Sequence, residues 1–361
     1  MAKIIQLVDS SGIGGIERHI ATLTGGLRAH NFDAEILLYA DHGPHAWLDQ
    51  LRAENLPFSL SGGSYTSLVK HLRVHGATLI HTHGYKAGIL GRLAALHLGI
   101  PVVSTFHAGE RGRFPVSLYQ AVDQWSAFCT PSIAVSQPIA DNLRFGATLI
   151  PNFIAAPEGP ASAPLPQTIA FVGRLSHEKG PDIFGELARR HSGVASFHFF
   201  GDGPMRAELE HAYGDVANFH GMATNMSSIW PQIGLLMISS RAEGLPMVAL
   251  EALAAGVPVA SARLGALPTL IDPGQNGWLF QPAHLEEASA AIEAWSTRRE
   301  DPALRRQCWQ TIERGYSLSQ GLSRILSVYS SAGFNRTAQP ESSSRLAAAA
   351  PIPARPPHKS T

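Results

Sequence analysis

Between Ile4 and Ala260 the chain sets short apolar runs among helix-length stretches, and one proline-rich segment splits the series in two. Ile4–Val8, Ala34–Tyr39, Thr78–His81, Pro101–Thr105 and Ile133–Val135 come before the break. Thr168–Val172, Ser196–Phe200, Val216–Phe219, Leu235–Ile238 and Val257–Ala260 come after it. That alternation predicts an α/β chain with parallel sheets. The break, Ala155 to Gln167, predicts a linker between two sheets. With 361 residues, 45% of them hydrophobic, the chain is long enough for two cores. The expected division is one α/β domain over residues 1–155, a linker over 156–167, a second α/β domain from 168 to about 318, and a disordered tail over 335–361, rich in Pro, Ser and Ala. Open parallel sheets bind ligands beyond the carboxyl ends of their strands, so two facing sheets predict a cleft where Gly15, His107, Arg174 and Glu243 converge.

The densest chemical cue is Glu243-Gly-Leu-Pro-Met-Val-Ala-Leu-Glu251, which runs on to Gly256 and Val259. It follows an apolar run, Pro246 suits a first helical position and Gly256 suits a helix stop, so Glu243 is expected on a strand-to-helix loop. Glu251 is the only charge from Met247 to Ala255, and a buried carboxylate is costly unless it is hydrogen-bonded. A hydroxyl-rich ligand would serve; a glutamate facing solvent or meeting an arginine is the plainer alternative. About seventy residues earlier, Phe171-Val-Gly173-Arg174-Leu-Ser-His-Glu-Lys179-Gly180 ends an apolar run in glycine and then presents two cations. Gly173 lets backbone approach a ligand, Arg174 can fork onto phosphate oxygens, and Lys179 adds a point charge before Pro181 opens a helix. Alone, that pattern is an ordinary solvated loop. Joined to the Glu243 segment at a matching strand end, it points to a sugar-nucleotide diphosphate.

These segments occur in order with Gly14-Gly15-Ile16-Glu17, Ile80-His-Thr-His-Gly84, Ser104-Thr-Phe-His107, Ile150-Pro-Asn152, Phe200-Gly-Asp-Gly-Pro204, Phe219-His-Gly221 and Asn276-Gly-Trp-Leu279. Together they resemble the retaining glycosyltransferases of family 4, over most of the chain. The resemblance implies the GT-B architecture, two Rossmann-like domains facing across a cleft, with Ser319 to Ser331 crossing back to the first. It also implies transfer of a sugar from a nucleoside-diphosphate donor (UDP or GDP) to a glycan or lipid-linked acceptor, with retained configuration and neither metal nor cofactor. Assembly of cell-surface polysaccharide or lipopolysaccharide is the expected setting. By resemblance, Gly14 and Gly15 lie close to the donor phosphates and acceptor, and His107 lies beside the transferred sugar. Arg174 and Lys179, after Gly173, stabilise the leaving diphosphate, Glu243 binds sugar hydroxyls, Gly244 and Leu245 offer backbone amides, and Glu251 holds the ribose. A front-face route is implied, the leaving phosphate helping to deprotonate the acceptor; the sequence itself shows no nucleophile.

The same residues bear on other classes. Gly12-Ile-Gly14-Gly15-Ile-Glu17 imitates a dinucleotide fingerprint, but Glu17 stands where helix-to-strand packing asks for Gly or Ala. A hydrolysing sugar-nucleotide epimerase of the same fold and a non-catalytic sugar-nucleotide sensor or complex subunit stay open. With 28 basic and 28 acidic residues, the chain has no global footprint for nucleic acid. Cys129 and Cys308 fall in different halves, which argues against a disulfide framework and for the cytoplasm. The N-terminal apolar run is too short for a signal peptide, and no long uncharged apolar stretch suggests a span. His81, His83 and His107 are not expected to bind a metal, on the expectation that His81 and His83 point to opposite faces of their strand and with no Asp or Cys close to them in sequence. No Asp-x-Asp pair occurs.

From Tyr65 to Arg113 the chain carries Lys70, Arg73, Lys86, Arg92, Arg111 and Arg113 against one acid, Glu110. With Tyr65, Phe106 and Phe114 nearby, this predicts a basic surface that meets anionic lipid or a lipid-linked diphosphate, and a peripheral position on the inner face of a membrane. Solvated helix faces explain the same charges.

Overall fold

The computed structural model describes residues 2–12, 14–107, 116–128, 130–159, 163–223 and 226–335. The first sheet has seven parallel strands: β1 (Lys3–Val8), β2 (Asp33–Leu38), β3 (Phe58–Leu60), β4 (Ala77–His83), β5 (Val102–Phe106), β6 (Ser132–Ala134) and β7 (Thr148–Leu149). Their order across the sheet is β3-β2-β1-β4-β5-β6-β7. The second has six: β8 (Thr168–Val172), β9 (Ser196–Phe200), β10 (Ala217–Phe219), β11 (Leu235–Ile238), β12 (Val259–Ala262) and β13 (Gly277–Phe280), in the order β10-β9-β8-β11-β12-β13. Helices α1 (Gly15–Ala29), α2 (Ala46–Ala53), α3 (Tyr65–Val74), α4 (Tyr85–Leu98), α5 (Val116–Ser126) and α6 (Gln137–Asn142) connect the first set. The second half carries α7 (Pro181–His191), α8 (Arg206–Tyr213), α9 (Met247–Ala254), α10 (Leu267–Leu270), α11 (Leu285–Arg298), α12 (Pro302–Gly315) and α13 (Leu318–Ser331).

β8, β9 and β11 begin and end with the apolar runs that predict them. β11 is buried along its whole length, as befits a parallel strand covered on both faces. β12 starts two residues later than expected because Pro258 has no N–H for a ladder; its carbonyl instead accepts the Leu236 N–H. Pro246 stands one position outside α9, as its cap, rather than opening the helix. Gly256, at φ +74°, ends it as expected.

Both sheets reverse their winding at the centre, between β1 and β4 and between β8 and β11. The loops after these four strands therefore open at switch points, where an open parallel sheet leaves a crevice. α13 buries Leu322, Ile325, Val328 and Tyr329 among Ile4, Leu23, Leu79 and Val103, so the last described helix packs on the first sheet. In the proline-rich segment Leu165 is buried and Arg305 donates to the Ala163 carbonyl at 3.0 Å, which fastens that stretch to α12. Cys308 is buried and free. Cys129 and residues 336–361 of the tail lie outside the described residues.

Candidate active site

The loops that follow β8 and β11 are tied to each other. Lys179 donates to Glu243 Oε1 at 2.8 Å, and Ser240 donates to the same oxygen at 2.7 Å. The Glu243 side chain is only 8% exposed, so the neighbouring cation offsets the cost of burying its charge. Arg241 forks onto Asp182 at 2.8 and 2.6 Å, and this hydrogen bonding holds Asp182 below the ordinary carboxylate range. Gly180, at φ +65°, brings its backbone so close to Ser239 that a Cβ would run into the Ser239 carbonyl. Gly265, at φ +53°, does the same against the Glu243 and Gly244 carbonyls, and Ala266 N–H donates to Gly244 O at 2.8 Å.

Gly173 N–H donates to Phe200 O at 2.9 Å, and Gly201 crosses its carbonyl where no side chain would fit. Arg174 is exposed, its carbonyl accepts from the Ser176 N–H at 2.9 Å, and its guanidinium forms no hydrogen bond or ion pair with a described residue. The Ser176 hydroxyl lowers the pKa of Glu178, with the charges of Arg174 and Lys179 adding to the effect. The N–H groups of Gly244 and Leu245 find no acceptor among the described residues, which leaves two donors just ahead of α9.

Described residues of the first half meet these loops and α9. Gly14 caps α1, and a Cβ on Gly15 would lie 3.8 Å from the Met247 side chain. A Cβ on Gly244 would lie 3.7 Å from the His107 carbonyl. Asn152 Nδ2 donates to Leu245 O at 2.9 Å. Arg18 pairs with Glu251 Oε1, while Oε2 has no partner among the described residues. Glu251 thus takes the plainer alternative, an arginine, on one oxygen and leaves the other open. Arg18 and the role of Asn152 are missed by sequence reasoning. The one signal for Arg18 is its place three residues after Gly15, on the same face of α1.

His81 and His83 are two positions apart on β4 and therefore share a face. Their ring centroids are 4.3 Å apart, which corrects the expectation that they diverge. With the Gln6 amide oxygen turned to His83, the surrounding hydrogen bonds form one directed network. His107 Nε2–H donates to His83 Nδ1 at 3.0 Å, and His83 Nε2–H donates to Gln6 at 2.9 Å. Gln6 donates to the Tyr329 hydroxyl at 3.1 Å, which donates to His81 Nδ1 at 2.8 Å, and His81 Nε2–H donates to Thr105 at 2.7 Å. The crossing helix α13 is thereby linked to His107. Burial pushes His19 down to about 4 and His81 to about 3, and holds His83 and His107 well below the ordinary imidazole range, so all four are neutral at pH 7. Neither ring nitrogen of His19 has a partner among the described residues. His19, His83 and His107 present nitrogens within 4.8 Å of one another, a set of neutral imidazoles that could hold a transition metal, although His83 and His107 are bonded to each other.

A cavity of about 600 Å³ opens beside His107, and its described lining comes from the first half, with groups that include Asp9, Glu17, Lys86, Gln120 and Gln124. Lys86 bonds Asp9 at 2.7 Å and His42 bonds it at 2.9 Å. Burial raises Asp9, but these two partners outweigh it and hold the carboxyl low. Arg92 departs from the expected basic surface: its side chain is 4% exposed and is paired with Asp123. Burial pushes Asp123 up to about 6 against the pull of that guanidinium. Lys70 and Arg73 are exposed as expected, whereas Glu110, Arg111, Arg113 and Phe114 lie outside the described residues.

Two parallel α/β sheets that meet through loops carrying this cation–carboxylate clamp define a GT-B glycosyltransferase. The chain belongs to glycosyltransferase family 4: the model described as Glycosyltransferase Family 4 matches residues 13–156, and that described as Glycosyl transferases group 1 matches residues 166–297. It is 24% identical over 333 residues to the UDP-Gal:alpha-D-GlcNAc-diphosphoundecaprenol alpha-1,3-galactosyltransferase of Escherichia coli, covering 81% of this chain and 85% of that one. It is 25% identical over 341 residues to a glycogen synthase of Mycobacterium tuberculosis, covering 78% and 82%. The crystal structure of Anabaena Alr3699/HepE in complex with UDP-glucose superposes with a TM-score of 0.79 at 19% identity, over 92% of this chain and 100% of that one. The protein is a glycosyltransferase of GT-B type that uses a nucleotide sugar. Among the described residues, no helix is long and apolar enough to cross a membrane.

Proposed function

We propose that this glycosyltransferase moves a hexose from a UDP-sugar to a glycan or lipid-linked acceptor, with retained configuration and without a metal, in assembly of a cell-surface polysaccharide or lipopolysaccharide on the cytoplasmic face of the membrane. The observation that carries this reading is the Lys179–Glu243 clamp set against the backbone of His107. As the bond from the anomeric carbon to the diphosphate breaks, negative charge gathers on the leaving oxygen. Arg174, Lys179 and the free amides of Gly244 and Leu245 stabilise it. Glu243 accepts from sugar hydroxyls, and the open Oε2 of Glu251 accepts from the ribose. His107 is neutral, so it adds no positive charge beside an oxocarbenium-like sugar. On the front-face route the acceptor oxygen bonds to the anomeric carbon from the side the diphosphate leaves, and its proton passes to the departing phosphate oxygen. Gly14 and Gly15 lie close to the donor phosphates and acceptor in this reading, where Gly15 brings the start of α1 against the Met247 side chain of α9. UDP is favoured by the donor in the name of the Escherichia coli relative and by the UDP-glucose held by the Anabaena protein.

The test is a transfer assay with UDP-glucose and UDP-galactose, in EDTA, using a GlcNAc-diphospho-lipid as acceptor. Proton NMR of the new linkage should show an α-anomer. A β-anomer would refute retention, and activity restored only by added metal would refute metal independence. Free sugar or no product would favour the epimerase or sensor readings.

A further inference from the structure

Helix α5 carries its polar residues inward and its apolar residues outward. Ser117, Gln120 and Gln124 line the cavity beside His107, and Asp123 is buried against Arg92. On the other side Leu118, Tyr119, Val122 and Trp125 face solvent, Trp125 at 56% exposure. Phe128, 66% exposed, follows the helix, and Phe145 lies exposed in the loop between α6 and β7. These side chains form one patch. Trp125 meets Phe145 edge-on at 6.1 Å between centroids, Phe128 lies 6.2 Å from Phe145, and Tyr119 stacks on Tyr85 of the cavity lining at 6.0 Å. A contiguous aromatic and aliphatic face in water marks a surface that another body covers.

Composition and charge identify that body. Tryptophan, tyrosine and phenylalanine mixed with aliphatic side chains suit the headgroup level of a bilayer. Arg144 lies 4.1 Å from the centroid of the Trp125 ring, so a cation sits within the patch. Next to α5, α4 adds exposed Leu93 and Leu96, and α3, packed on α4, adds exposed Lys70 and Arg73. Cations interleaved with apolar groups complement anionic headgroups, whereas two copies of this face would set like charges against each other. We propose that the layer formed by α3, α4 and α5, with Phe145, docks on an anionic phospholipid membrane and holds the cavity on the inner side of α5 at the headgroup plane. That the cavity then receives a lipid-borne acceptor rests on the transfer reading above; the docking itself does not.

The experiment is co-sedimentation of the full chain with phosphatidylcholine vesicles, with and without phosphatidylglycerol, comparing wild type with Trp125→Ser/Phe128→Ser. Neither residue contacts the clamp or the histidine network, and an unchanged thermal midpoint shows that the variant folds. Phosphatidylglycerol should strengthen wild-type binding by about tenfold or more, and the variant should lose binding by about tenfold or more. Equal binding of both proteins, indifference to phosphatidylglycerol, or a concentration-dependent dimer that the variant breaks would overturn the proposal. Vesicle binding by a protein that transfers no sugar would support docking and refute the transfer reading. Turnover of a water-soluble acceptor without vesicle binding would do the reverse.

Discussion

Arg18 on α1 and Glu251 on α9 are joined by an ion pair that bridges the two halves of the chain at the carboxylate whose second oxygen stays open. The pair ties the geometry of the proposed ribose contact to the approach of the two sheets. Losing Arg18 strands a largely buried carboxylate, whereas losing Glu251 leaves an arginine that still reaches water. Urea denaturation of Arg18→Ala should show a loss of about 1–2 kcal/mol, more than Glu251→Ala. The double-mutant cycle should give a coupling of about 1 kcal/mol; a coupling of zero would mean that the pair does not hold the halves together.

Arg174 and Lys179 are assigned to the leaving diphosphate. Arg174→Ala and Lys179→Ala should each lower kcat by about a hundredfold or more, roughly 3 kcal/mol, if each acts like one oxyanion donor. Steady-state kinetics decide this, and losses below about tenfold in both would sink the assignment.

Gly180 and Gly265 hold the two loops in register through backbone contacts that no side chain can share. Gly180→Ala and Gly265→Ala should each cost about 1–3 kcal/mol in thermal or urea denaturation. Gly265→Ala should also raise KM for the donor by displacing Gly244. Gly12→Ala, where nothing lies within 4 Å, should stay within about 0.5 kcal/mol of wild type. Equal effects at all three positions would contradict the loop contacts.

The buried histidines predict acid sensitivity with a definite sign. A histidine whose folded pKa lies below its unfolded value costs nothing above about 6.5, and destabilises increasingly as pH falls toward the folded value, about 4 for His19. Protonating His19 in place costs roughly 3 kcal/mol. Urea midpoints should therefore hold steady above about pH 7 and fall between about pH 6 and 4. His19→Leu should flatten that fall. A profile unchanged by the substitution would show that His19 is not held neutral.

Much of the fold is legible because buried parallel strands write continuous apolar runs, as β8, β9 and β11 do. The strands that escape notice, β3, β7 and β13, all lie at sheet edges, where strands are short and half exposed and leave little periodic signal. The Glu243 and Gly173 segments are legible because a carboxylate in an apolar helix and cations after a strand-end glycine are locally unusual. Their neighbours are not: the Arg18–Glu251 pair spans 233 positions and exists only once the halves pack. The outward face of α5 is hidden for another reason. Val116-Ser-Leu-Tyr-Gln-Ala-Val-Asp-Gln-Trp125 has a helical period, but a period does not say which side faces in. Arg92 shows the same limit for charge, counted as surface in sequence and found paired inside.

The most direct test of the donor site is thermal-shift titration with UDP and GDP in EDTA, on wild type and Arg174→Ala. At a hundredfold excess over the dissociation constant, binding should add about 2.7 kcal/mol, a rise of several degrees. The account predicts a rise with UDP, insensitive to EDTA and abolished by Arg174→Ala. No rise with either nucleotide, or one that survives loss of Arg174 unchanged, would contradict a diphosphate site built on Arg174, Lys179 and Glu243.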